Sequence, residues 1–166
     1  MADDYDSTAD TLKHMMRVRD LLEFMAIELI HRSRHHDSSK LGEAEKPMFD
    51  RMTPKLKTLA YGSDEYKASL AELKPALDHH YKLNSHHPEH YADGIGGMDL
   101  LDVMEMFCDW IAAGERTKGG DPYKSLEVNE KRFGMSPQLV SIFKNTIGKQ
   151  AFWHQEEMLN YSPPGR

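Results

Sequence analysis

The chain has 166 residues, 39% apolar and 29% charged, with 21 basic against 27 acidic side chains and a net charge of −6. That suits one globular domain with its own core rather than a disordered tail, and the acidic balance disfavours a module that binds duplex nucleic acid. A lone cysteine, Cys108, rules out an internal disulfide framework, no apolar run reaches membrane-spanning length, and the acidic start MADDYDSTAD is unlike a signal peptide, so a cytoplasmic setting is expected.

In chain order, a first helix is expected from Ser7, where Ser7 and Asp10 form a capping-box pattern. Leu12, Met15, Met16, Leu22, Met25, Leu29 and Ile30 carry it at helical spacing to about Arg34. Residues 40–63 contain Pro47, Pro54 and Gly62 and read as loop with short helical pieces. Ser63 caps a second long helix to about Leu83, kinked at Pro75. Asn84 to Gly97 holds Pro88 and three glycines and reads as loop. Asp99 caps a third helix, ending at Gly114, that is apolar nearly all round and so expected to be buried. Asp121-Pro122 and Ser136-Pro137 each pair an N-cap with a first-turn proline and open two more helices, ending near Gly134 and Gly148. No segment alternates as a strand does. The expected fold is therefore an all-α helical bundle, a single domain over residues 1–160 with a flexible tail over 161–166.

Ten histidines are present, and eight fall between residues 31 and 90, including the doublets His35-His36, His79-His80 and His86-His87. Imidazole beside carboxylate is the ligand chemistry of zinc, iron and manganese. His36-Asp37 closes the first helix. Leu70, Leu73, Leu77 and His80 share one face of the second long helix, so His80 points inward and His79 toward solvent. An inward histidine is either a core residue satisfied by a carbonyl or a ligand. His86, His87, Glu89 and His90 follow in a loop too polar to be packing material. Asp102, Glu105, Asp109 and Arg116 make a polar stripe through the apolar third helix. The Asp99 cap explains Asp102. Asp109, more than two turns in, needs a cation or hydrogen bonds, from Arg116 or a metal.

His14-x-x-x-Val18, His36-Asp37 and the distant Asp109 together resemble the H…HD…D signature of the HD-domain metal-dependent phosphohydrolase superfamily. His36-Asp37-Ser38-Ser39-Lys40 is similar to its HD-x-[GS]-K form. His80, His86-His87 and Glu89, followed by Asp93-Gly94, resemble the H…HH-x-E…DG extension of members with two or more metals, such as the HD-GYP branch. Two features depart from that branch: Gly94-Ile95-Gly96 stands where it has Gly-Tyr-Pro, and His80 and His86 are more closely spaced. The nearest likeness is to small single-domain HD-like proteins of bacteria and their phages. Tyr61-Gly62-Ser63-x-Glu65-Tyr66, His86-His87-Pro88-Glu89-His90, Glu105 to Trp110 and the Ser125…Asn129…Arg132-Phe133 run carry it, over about residues 10–148.

The resemblance implies an HD-like fold in which His14, His36, Asp37, His80, His86, His87 and Asp109 hold divalent transition metal, two ions of Mn, Fe, Co or Zn, with Asp37 bridging. A metal-activated hydroxide would attack phosphorus in line. Asp37 and Lys40 are the expected catalytic residues, Lys40 stabilising charge on the phosphoryl oxygens. Arg116 and Lys118, before Gly119-Gly120, suit phosphate contacts. The expected function is metal-dependent hydrolysis of a nucleotide or related small phosphoester. The alternatives are a di-iron oxygenase, since the superfamily includes members with a four-His, two-Asp site, and a catalytically idle, metal-stabilised binding protein. The expected partner is a small phosphorylated substrate, with no membrane and no duplex nucleic acid, and a homo-oligomer is left open. Helix geometry constrains His14. It precedes His36 by 22 residues, or about 33 Å in a straight helix, so it reaches the same metals only if that helix breaks.

Overall fold

The computed structural model describes residues 5–59, 63–115 and 121–149, and every regular element among them is helical. The chain divides into two compact units, Met1–Met106 and Phe107–Arg166. The first holds α1 (Thr8–His35), α2 (Lys46–Thr58), α3 (Asp64–Leu83) and the opening turns of α4 (Leu100–Glu115). The second holds the rest of α4, then α5 (Pro122–Phe133) and α6 (Pro137–Lys149). Among the described residues no helix is long and apolar enough to cross a membrane.

Most helix starts follow from their caps. Ser63 Oγ accepts the Tyr66 N–H (3.1 Å) at the head of α3, and Asp121 Oδ1 accepts the Tyr123 N–H (2.9 Å) at the head of α5. Asp99 and Asp102 cap α4 reciprocally: Asp99 Oδ1 accepts the Asp102 N–H (2.8 Å) and Asp102 Oδ2 accepts the Asp99 N–H (3.0 Å). α5 ends on Gly134 at φ 58°, the left-handed position that glycine occupies without strain. Two expectations differ. The Ser7 side chain makes no capping bond; Asp6 Oδ1 instead accepts from both the N–H and the hydroxyl of Thr8. Residues expected as loop form α2, because Pro47 sits in its first turn, where no N–H is needed, and Pro54 is held inside the helix.

In the first unit, α2 and α3 pack through Met52, Leu73 and Ala76, flanked by Phe49 and Leu77. Phe49 meets the His80 ring edge-on at 6.3 Å, so this core also fixes a site residue. In the second unit, Trp110 stacks on Phe133 (5.7 Å) and Phe107 lies against Phe143 (4.7 Å). Leu126, Val140 and Ile147 are buried in that same unit. α4 is less completely buried than its composition suggests, since Leu100 and Met104 remain exposed.

α1 is unlike the others. It runs unbroken for 28 residues and buries none of them. Only Met25, Glu28, Leu29 and Arg32 are half-buried. The unbroken helix also corrects the expected ligand set: His14 stands about 33 Å from His36 along the axis, so within one chain it does not join that site.

Candidate metal centre

The site forms where α1 ends, α3 ends and the loop after α3 turns back. His36 leaves the helix at φ −48°, ψ 127°, with its N–H bonded to the Arg32 carbonyl. Asp37 then takes φ 57°, ψ 11°, the one non-glycine residue at positive φ among those described. That conformation costs about 1–2 kcal/mol, least for Asp and Asn, and such strain gathers at functional sites. It leaves Asp37 Oδ1 3.0 Å from His80 Nε2 and 3.5 Å from His86 Nε2. Asp37 Oδ2 meets Lys40 Nζ at 2.5 Å and His36 Nε2 at 3.6 Å. His87 Nε2 lies 3.0 Å from His80 Nε2. One ligand atom each from Asp37, His80, His86 and His87 falls within 4.8 Å of all the others, and His36, His86 and Glu105 form a second such group.

Two carboxylates behind these rings set which nitrogen carries the proton. Glu45, with no solvent exposure, faces His80 Nδ1 (3.0 Å) and His79 Nδ1 (2.8 Å) and accepts from Ser39 Oγ (3.1 Å). Glu105 Oε1 faces His36 Nδ1 (2.9 Å) and His86 Nδ1 (3.2 Å). A neutral ring with its proton on Nδ1 leaves the Nε2 lone pair of His80 or His86 for a cation, whereas a doubly protonated ring turns an Nε2–H toward Asp37. Carboxylates behind ligating imidazoles are how proteins orient metal-binding histidines.

Asp37 Oδ1 and His86 Nε2 are both buried with no hydrogen bond made to either, although His80 Nε2 and His86 Nε2 lie 3.0 and 3.5 Å from Asp37 Oδ1. A buried acceptor left unsatisfied costs about 1–3 kcal/mol. A cation among these atoms removes that cost, and a nitrogen-rich set with one carboxylate fits zinc, iron or manganese. Electrostatics agree. Burial raises the Asp37 carboxyl, but His80, His86 and Lys40 outweigh it and hold it far below the usual carboxylate range. Burial lowers the His86 imidazole, but Asp37 and Glu105 raise it by more. The field that favours a proton on His86 favours a metal cation there as well.

Behind Glu105 lies a structural hub. Arg32 Nη1 donates to Asp102 Oδ1 (2.8 Å) and Glu105 Oε2 (3.1 Å). Asp102 also accepts from Ser85 Oγ (2.6 Å) and the Tyr91 hydroxyl (2.6 Å). Gly97 packs so closely on Tyr91 that an added Cβ would sit 2.8 Å from the tyrosine Cβ. Burial raises the Asp102 carboxyl, while Ser85, Tyr91 and Arg32 outweigh it and hold it below its ordinary value. A pKa lowered by folding gives stability that is present above the unfolded value, ~3.9, and fades as pH falls through the folded value. Asp102→Asn is therefore expected to lower the melting temperature at pH 6, with the gap to wild type narrowing toward pH 3. A gap independent of pH contradicts this role.

Of the expected ligands, His36, Asp37, His80, His86 and His87 come together and His14 does not. Asp109 is half-buried one turn beyond Glu105 on α4, in the second unit. Lys40 pairs with the Asp37 carboxylate. Arg116 and Lys118 lie outside the described residues. His79 is half-exposed, as expected, and Glu89 and His90 are exposed, with His90 Nδ1 bonded to the Tyr81 carbonyl. Glu45 was not signalled, because it falls in a stretch read as loop, and Glu105 was legible only as a member of the α4 stripe. A polar cavity of about 450 Å³ opens beside the cluster, lined by His31, His35, Ser38, Asn84 and His86 among others. The larger groove, about 650 Å³ along Leu70, Lys74, Leu77 and Tyr81, holds none of the clustered donors.

These features define an all-α protein with a histidine–aspartate cluster able to hold metal. Residues 3–149 match DUF5662, described as a family of unknown function, and the chain belongs to that family. No curated protein and no solved structure matches it.

Proposed function

We propose that the chain is a metal-dependent phosphohydrolase acting on a nucleotide or related small phosphoester. The observation that carries this reading is the unpartnered, buried Asp37 Oδ1 and His86 Nε2 among imidazoles whose opposite nitrogens face Glu45 and Glu105. Asp37, His80, His86 and His87 would hold one ion. His36 would contribute to a second ion, and the resemblance to HD-domain proteins adds Asp109. Metal bound there would supply Lewis acidity toward a phosphoryl oxygen and a water acidified toward neutral pH. The protein's own part is positional. Glu45 and Glu105 keep Nδ1 protonated, Asp37 carries the negative charge, and the polar cavity receives the substrate.

Lys40 stands at this site with about a third of its side chain exposed. It exchanges Asp37 for a phosphoryl oxygen when substrate binds. Lys40→Ala is expected to keep the metal and lower kcat on the order of 10²-fold. Turnover equal to wild type in a phosphate-release assay over nucleotides removes Lys40 from the reaction.

A second reading has support of its own. With His14 set apart, the expected donors are four histidines, His36, His80, His86 and His87, and two aspartates, Asp37 and Asp109, the composition that the resemblance links to di-iron oxygenases. Metal identity separates the two. Phosphate release with manganese, cobalt or zinc supports hydrolysis, whereas a redox-active iron pair with no phosphoester turnover supports the oxygenase.

A further inference from the structure

We propose that α1 is a self-association helix, pairing antiparallel with α1 of a second copy of this chain through Met15, Val18 and Leu22. Nine large apolar side chains between Leu12 and Ile30 are 40–62% exposed. Of these, Met15, Val18 and Leu22 share one face, Leu12 and Leu21 flank it, and the others lie on the remaining sides of the helix. Monomeric proteins rarely leave contiguous apolar patches beyond a few hundred Å² in water.

The pattern of the surface favours a second copy. Met15, Val18, Leu22, Met25 and Leu29 recur at alternating steps of three and four, the seam of a helix pair. The C-terminal end of this seam, at Met25 and Leu29, is half-covered by its own chain, while Met15, Val18 and Leu22 continue the same face uncovered. Antiparallel pairing lays the uncovered half of each helix against the half that emerges from the other copy. Parallel pairing would bring the two chain bodies to the same end. A register that layers Leu22 on Val18 and Met15 on Met25 brings Leu21 of the two copies together near the two-fold axis. A lipid surface fits less well. Membrane-surface helices keep one apolar and one basic face, whereas apolar residues surround α1 and the chain carries a net charge of −6.

The test is molar mass in solution by light scattering at tens of micromolar protein. Wild type is expected at twice 19.1 kDa, and Val18→Glu with Leu22→Glu at the monomer mass, with the near-UV aromatic signal of the folded chain retained. A Leu21→Cys variant in a Cys108→Ser background places the new thiol near the two-fold axis and is expected to cross-link to itself on oxidation, without charging the seam. A monomeric wild type overturns the proposal, and a monomer that floats with mixed neutral and anionic vesicles assigns α1 to lipid instead. A dimer that survives the double substitution, or no cross-link at Leu21→Cys, overturns it too.

Discussion

Asp37→Asn is expected to strip the protein of transition metal and, with it, of phosphoester turnover. Asparagine tolerates the left-handed backbone nearly as well as aspartate, so the substitution removes charge without adding strain at φ 57°. The negative charge facing His80 Nε2 and His86 Nε2 disappears, and an amide N–H can turn toward the same space. Lys40 loses its ion-pair partner and contributes uncompensated positive charge beside the cluster. Each change opposes a divalent cation. Asp37→Ala should lose the metal equally, with an additional stability cost from alanine at positive φ. Full metal content in either variant removes the assignment.

The second large effect is expected at Glu45, a positioning residue that would touch neither metal nor substrate. Glu45→Gln is nearly isosteric, but its amide can present N–H rather than oxygen to His80 Nδ1. His80 then favours the opposite tautomer, with its proton on Nε2 aimed at Asp37 and His87. Metal affinity should fall about 10–100-fold while the melting temperature of the metal-free protein changes little. Glu45→Asp, which keeps the acceptor, should recover part of that affinity. A purely structural Glu45 would show the reverse pattern, with lost stability and unchanged affinity.

The sequence disclosed the local signals and missed the distant partners. Ser63, Asp99 and Asp121 cap the helices they were expected to cap, because capping involves residues two or three apart. α2 escaped notice because two prolines look like breakers, although a first-turn proline suits a helix start. His36-Asp37, His80 and His86-His87 stood out as doublets beside acids. The groups that orient them did not, since Glu105 meets His36 and Arg32 across 69 and 73 residues of chain. The left-handed turn at Asp37 likewise has no signature in the letters His-Asp-Ser-Ser. For His14 the motif and helix geometry disagreed, and the unbroken α1 follows the geometry. The apolar residues of that helix were read correctly as helical, but their spacing alone could not show that the chain itself leaves them uncovered.

The central claim is that His36, Asp37, His80, His86 and His87 hold catalytic metal. Its most direct test is elemental analysis of purified wild type and Asp37→Asn, each loaded with manganese, iron, cobalt or zinc and then dialysed. The account predicts about two equivalents in wild type and none in the variant. Wild type that retains no transition metal, or a variant that retains as much as wild type, would contradict it.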